Sequence, residues 1–363
     1  MLVMYHDKLF FLKQIVHILI VKTSSLGDIV QTFPVITLLK KHYQRVKIDW
    51  VAKKFCCELV AAHPDVHHVI SVDSYKWRRS FLKNYFEMWG MVRELREQRY
   101  DLLLDLQGNI KSACVTKCAR ARKKVGYTFS SASDWPNAFF LSHRYRVDVK
   151  DPITFQYLSI VQQHLAISSD FCIEPTMLNI TDEEKRWVHS QIQGIPGPIF
   201  MVCSASRWDN KKLSLKTWQI FLKQLNKKFS PYFFFVWGSE KEREESETLH
   251  RSFIFSSCVL PRMSISTLQF FMDRMDVVLA VDSFALHLAA TTSTSTYSIF
   301  GPSQASVYKP FGESHQAFQG VCPYGVLFDK RCPYLRSCKT RGCLKNIDPE
   351  TLMQQFIWKM HHK

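Results

Sequence analysis

The sequence predicts an α/β protein made of two successive Rossmann-like domains. Three observations carry that reading. Short apolar segments of strand length alternate with amphipathic segments of helix length, the pattern of a parallel sheet with crossover helices. The pattern runs once up to about residue 168 and again from about residue 198. The stretch between is polar and turn-rich, closing on Gly194-Ile195-Pro196-Gly197-Pro198. A length of 363 residues suits two domains, each with its own core.

The first strand is His17–Val21, an apolar run of buried-strand length. The run LFFLKQIVHILIV, residues 9–21, lacks a small-residue cleavage site and leads directly into the Ser24-Ser25-Leu26-Gly27-Asp28 turn, so the residues before His17 read as an N-terminal extension. A turn and a helix follow, with apolar Ile29, Val30, Phe33, Leu38 and Leu39, and Pro34 is expected to kink or shorten it. Val46–Val51 and Val69–Val72 are strands. Phe81–Gln98 is an amphipathic helix. Asp101–Leu106 is a strand running into Gln107-Gly108, followed by a helix over 109–120 and a short strand, Lys124–Tyr127. In the second series the strands are Ile199–Cys203, Phe233–Trp237, Val277–Val281 and Thr296–Phe300. Its helices are Leu215–Lys228, Glu240–Phe253, Ser264–Met272, Ser283–Thr291 and a last one over 349–361. The expected domains are therefore 1–170 and 171–348, with the C-terminal helix after them. A ligand would lie in an interdomain cleft facing the strands' carboxyl ends.

Lys and Arg number 48 against 32 Asp and Glu, a formal charge of +16 that calls for an anionic partner. Nucleic acid, an anionic membrane and a phosphorylated substrate all satisfy it, but no RNP signature, zinc-finger spacing or basic heptad region supports nucleic acid. Eleven cysteines, an odd number scattered over the chain, read as reduced thiols in a cytosol. No apolar stretch is long enough for a transmembrane helix.

Three turns carry chemistry. Lys22-Thr23-Ser24-Ser25-Leu26-Gly27-Asp28 joins a buried strand to a helix, where free backbone N–H groups favour anions. It lacks the P-loop order and the three glycines of a dinucleotide fingerprint. On spacing alone Asp28 is a helix-capping residue. Asp282-Ser283 precedes a second helix that carries His287, with Ser283 a good N-cap. Ser206-Arg207-Trp208-Asp209-Asn210-Lys211-Lys212 follows a third strand and gathers cations suited to a diphosphate.

Together with YDLLLDLQGNIKSA, WGSEKE, FGPSQ and the tail CPYLRSCKTRGCLKNIDPE, these motifs resemble glycosyltransferase family 9, the lipopolysaccharide heptosyltransferases. The resemblance spans about His17 to Pro349 and is nearest the branch that adds the first heptose. It implies a GT-B fold, with an N-terminal acceptor domain, a C-terminal nucleotide-sugar domain and a last helix returning to the first. It implies inverting transfer of heptose from an ADP-sugar to a Kdo-containing, acidic, phosphorylated lipid acceptor. This would take place at the cytoplasmic face of the inner membrane, with peripheral membrane contact. By matched position, Asp28 is the general base, with Lys22 near the reacting centre. Ser206, Arg207, Lys211, Glu242, Asp282, Ser283 and His287 bind the donor. Ser24, Ser25, Gly27, Lys76, Arg78, Arg79 and Gln107 face the acceptor. No metal or cofactor is implied, since lysine and helix dipoles hold the diphosphate.

The sequence departs from the family at three points. Phe284 stands where glycine is usual, Leu213-Ser214 where Trp-Pro is usual, and an arginine expected near Ser133 is missing. Cys322, Cys332, Cys338 and Cys343 do not have paired C-x-x-C spacing, which favours packed or solvent-facing thiols over the alternative reading, a structural zinc. The competing readings are another nucleotide sugar on the same fold, a Rossmann oxidoreductase, and a non-catalytic protein binding anionic lipid or nucleic acid.

Overall fold

The computed structural model describes residues 15–73, 85–167 and 172–357. The chain divides into two compact units, Met1–Glu174 and Pro175–Lys363.

The first unit is a parallel six-stranded sheet. In chain order its strands are β1 (Val16–Val21), β2 (Val46–Lys53), β3 (His68–Val72), β4 (Tyr100–Asp105), β5 (Ala121–Tyr127) and β6 (His143–Tyr145). Their spatial order is β3-β2-β1-β4-β5-β6, the doubly wound arrangement in which the order of strand addition reverses between β1 and β4. Ile18 to Val21 are fully buried, as expected for a central parallel strand covered on both faces. Leu19 and Val21 pack with Val51, Ile70, Leu95, Leu103 and Val115 into one cluster. The expected helix after β1 is two helices, Leu26–Val30 and Phe33–His42. Pro34 sits in the first turn of the second, where its missing N–H costs nothing.

The second unit repeats the winding. Its strands are β7 (Ile199–Cys203), β8 (Tyr232–Phe235), β9 (Ser257–Val259), β10 (Val277–Val281), β11 (Ser295–Phe300) and β12 (His315–Gln319), in the order β12-β11-β10-β7-β8-β9. Numbered from its own first strand, this is the same topology, with the reversal between β7 and β10. Helix Leu215–Phe229 buries Trp218, Phe221, Leu222 and Leu225, a single face at helical spacing. Ser214 accepts from the Thr217 N–H at 3.0 Å and starts it.

Helix Pro349–Gln355 belongs to this second core. Leu352 is fully buried, its carbonyl accepts from Tyr297 Oη at 2.9 Å, and Phe356 packs on Phe200, Phe221, Phe229 and Tyr297. Residues 349–357 thus contribute to the second core. Their apolar side chains have been taken up by the second unit.

Candidate functional site

In the first unit the expected residues Lys22 to Asp28 and Gln107 follow the carboxyl ends of β1 and β4, at the reversal point. The register sets Val21 beside both Val51 and Asp105, so the turns after β1, β2 and β4 emerge together. Lys22 is buried. Its Nζ donates to the Leu106 carbonyl at 3.0 Å and to Tyr157 Oη at 2.8 Å. Its own carbonyl accepts from Trp50 Nε1 at 2.9 Å. Gln107 clamps the loop: its Oε1 accepts from the Thr23 N–H at 3.0 Å, the Thr23 hydroxyl at 3.2 Å and the Ser24 N–H at 3.1 Å. Asp28 Oδ2 accepts from the Ser25 N–H at 2.8 Å and the Ser25 hydroxyl at 2.6 Å. The expectation that this loop offers its amides to an anion is corrected here. Thr23 and Ser24 spend their N–H groups on Gln107 and Ser25 spends its own on Asp28, side-chain acceptors within 3.1 Å. Gly27 serves the helix, accepting from the Gln31 N–H. Lys76, Arg78 and Arg79 lie outside the described residues.

Beneath this loop is Asp105, fully buried. It accepts from the N–H groups of Gln107 and Gly108 and, through its other oxygen, from Thr116 Oγ1 and Asn137 Nδ2. Burial pushes its pKa up and these hydrogen bonds oppose the rise. The sequence reading missed Asp105 as a site residue, although a carboxylate closing the apolar run Leu102–Leu104 signals a buried acceptor. Tyr157 was also missed, and no local signal marks it. Lys124 Nζ donates to the Thr116 carbonyl, closing a helix.

In the second unit three turns leave neighbouring carboxyl ends, those of β10, β7 and β8. Lys211 closes a short 3₁₀ turn, Asp209–Lys211. Its Nζ lies 2.5 Å from Asp282 Oδ2, and both side chains are buried. Burial alone would raise the Asp282 pKa. The charges of Lys211 and then His287 outweigh it and hold the carboxyl below its ordinary range. Ser206 is buried and donates to the Asp282 carbonyl at 3.3 Å, while Arg207 is exposed. Ser283 occupies the N-cap position of helix Phe284–Ala289, and its buried hydroxyl has no hydrogen-bond partner among the described residues. His287 is buried on the same helix. After β8, Glu242 Oε2 accepts from the Gly238 and Ser239 N–H groups, both at 3.0 Å. Phe284 opens its helix as a half-buried residue. Of the expected donor residues, the structure brings Ser206, Lys211, Asp282, Ser283 and His287 together.

Two doubly wound units, each carrying its polar residues at the point where its strand order reverses, define the GT-B class of glycosyltransferase. The comparisons place the chain within that class. The model of glycosyltransferase family 9 (heptosyltransferase) matches residues 88–335, and the chain belongs to this family. It is 26% identical to lipopolysaccharide heptosyltransferase 1 of Pseudomonas aeruginosa over 93% of this chain and 96% of that protein. It is 23% identical to the E. coli K12 protein of the same name over 84% of this chain and 92% of that one. Among solved structures, E. coli heptosyltransferase WaaC with ADP superposes with a TM-score of 0.70 at 22% identity, covering 83% of this chain and 92% of that one. A family 9 glycosyltransferase from Veillonella parvula gives 0.77 at 15% identity, over 93% and 95%. Among the described residues no helix is long and apolar enough to cross a membrane.

Proposed function

We propose that this chain transfers L-glycero-D-manno-heptose from its ADP-linked form to a Kdo-containing inner-core acceptor of lipopolysaccharide, with inversion at the anomeric carbon. One observation carries the reading: the buried Lys211–Asp282 pair beside the unpartnered Ser283 hydroxyl, at the reversal point of the second unit. A cation held there in low dielectric can neutralise charge building on a departing diphosphate. Ser283 supplies a donor, and Ser206, Arg207 and His287 stand on the same turns. Glu242 orders the turn after β8, where a ribose would be gripped.

In the first unit Asp28 is the general base, taking the acceptor hydroxyl's proton, a contribution worth about 10²–10⁴-fold. Lys22, Ser24, Ser25, Gly27 and Gln107 shape the acceptor side, with Lys76, Arg78 and Arg79 meeting its acidic groups. The positive charge suits a phosphorylated lipid at the cytoplasmic face of the inner membrane. The named relatives support this reading, as do the WaaC structures with ADP and with ADP-2-deoxy-2-fluoro heptose.

The test is incubation of purified protein with ADP-heptose and Kdo-lipid acceptors, read by mass spectrometry. A gain of one heptose per acceptor is expected. Transfer from another nucleotide sugar, with none from ADP-heptose, would overturn the donor assignment.

A further inference from the structure

Between β12 and the short helix Gly342–Lys345 the chain runs through a long segment with little regular structure. A stretch of that kind in a compact domain needs something besides its backbone to hold it. Four of the eleven cysteines lie on it or at its end: Cys322, Cys332, Cys338 and Cys343. All four line one cavity of about 30 Å³, and all are free thiols. Cys343 lies within electrostatic reach of the other three. The volume suits one water-sized occupant.

The segment is also fastened to the loop that carries Lys211. Asn210 Nδ2 donates to the Leu335 carbonyl at 2.5 Å. Arg341 pairs with Asp209 at 3.6 Å, and Arg336 stacks over the Trp208 ring at 5.3 Å. Whatever fixes residues 322–343 therefore fixes the Trp208–Lys211 turn.

We propose that Cys322, Cys332, Cys338 and Cys343 form a four-thiolate site for a zinc-class divalent ion, which anchors the Lys211 loop. Thiolate sulfur is the ligand such ions select, and four of them close a structural tetrahedron with metal–sulfur distances of about 2.3 Å. Loading replaces thiol protons, which leave to solvent, with metal–sulfur bonds, and no electrons move. Among the described residues no metal-binding array of three or more ligands stands preassembled. Loading therefore draws the thiols inward across the cavity. The x9, x5 and x4 spacing differs from paired ribbons, so convergence in space is what makes the set.

The experiment uses the full chain, purified from zinc-supplemented medium. Elemental analysis is expected to find about one metal equivalent per chain. Chelator-stripped protein given Co²⁺ should show thiolate-to-cobalt charge transfer and tetrahedral visible bands. A Cys332→Ser/Cys338→Ser double variant should lose both, while Cys114→Ser, an exposed thiol in the first unit, keeps them. Three results would each overturn the site: no metal and no Co²⁺ uptake, an unchanged cobalt spectrum in the double variant, or peptide mapping that finds these cysteines joined in disulfides. The metal readouts stand apart from the donor assignment. A second readout rests on it: stripping should weaken ADP binding about tenfold and Zn²⁺ should restore it. Unchanged ADP affinity would refute the anchoring role and leave the metal site standing.

Discussion

Lys211 and Asp282 form a buried ion pair that joins the turn after β7 to the turn after β10. Breaking such a pair from one side strands a charge. Lys211→Met should cost about 3–5 kcal/mol in urea unfolding and abolish ADP binding. Because the folded carboxyl is held below its ordinary range, its contribution is present above about pH 4 and fades as pH falls further. In Lys211→Met that acid limb should vanish. Pairing Lys211→Met with Asp282→Asn should recover part of the stability but none of the ADP binding. Full ADP affinity in either variant would remove the pair from the donor site.

Gln107 makes a different prediction because its work is confined to the first unit. Gln107→Ala orphans the Thr23 and Ser24 N–H groups at once. The expected loss is about 1–3 kcal/mol, with turnover reduced by an order of magnitude or more. ADP affinity, measured by calorimetry, should hold. A variant with normal turnover would show that the clamp on the Lys22–Asp28 loop is dispensable.

The parts of this architecture that the sequence made legible are those buried on both faces. Runs such as Leu102–Leu104 and Val277–Val281 announce central parallel strands. The edge strands β6, β9 and β12 (His-Arg-Tyr, Ser-Cys-Val and His-Gln-Ala-Phe-Gln) did not, because an edge needs neither length nor an apolar face. At the site, residue types gave the carboxylates and cations but not their partners. Lys22 meets Tyr157 across 135 positions, and nothing near either residue announces it. Two of the free amides expected after β1, those of Thr23 and Ser24, were lost to Gln107 for the same reason: local spacing cannot see a side chain arriving from the neighbouring strand.

Two buried histidines, together with half-buried His164, whose pKa burial also lowers to about 4, should set the response to mild acid. Burial lowers the pKa of His63 to about 4, and the Lys40 charge adds to the effect against that of Asp65. His315 is lowered likewise to about 4, chiefly by burial and then by Lys309. His63 is poorly placed to protonate: Nδ1 accepts from the Asp65 N–H at 3.1 Å, and Nε2 is buried without a partner among the described residues. The unfolded chain takes up these protons near pH 6.5, the folded chain only near 4. Their contribution is therefore complete above 6.5 and lost as pH falls toward 4, by up to roughly 1.4 kcal/mol per pH unit for each. Urea midpoints at pH 7.5, 6 and 5 should trace the loss. An identical pH slope in His63→Leu would exclude His63 as a source.

Phe284 is the departure nearest the donor turn. Phe284→Gly restores the family's usual residue at a cost of about 1 kcal/mol, since glycine weakens a helix. If the ring crowds the seat beside Ser283, ADP affinity should rise several-fold by calorimetry. Unchanged affinity with the expected small loss of stability would mean that the ring points clear of the donor.

Asp28 has two claims on it, and two substitutions separate them. Its carboxylate caps the helix by accepting from the Ser25 N–H and hydroxyl, which is reason enough for an acid there without any catalysis. Asn keeps an acceptor oxygen for the Ser25 N–H and removes the basicity. Ala removes both. If Asp28 only caps, Asp28→Asn should keep most of the turnover, and Asp28→Ala should lose stability by about 0.5–2 kcal/mol and activity only in proportion. If it is the base, both variants should fall by about 10²–10⁴-fold in kcat, with Asn near wild-type in thermal stability and both binding ADP normally. The ADP control matters because Asp28 lies in the first unit and Lys211 in the second, so a donor-binding defect would point to misfolding rather than to lost proton transfer. Turnover in Asp28→Asn that stays within a few-fold of wild type would assign the residue to capping alone.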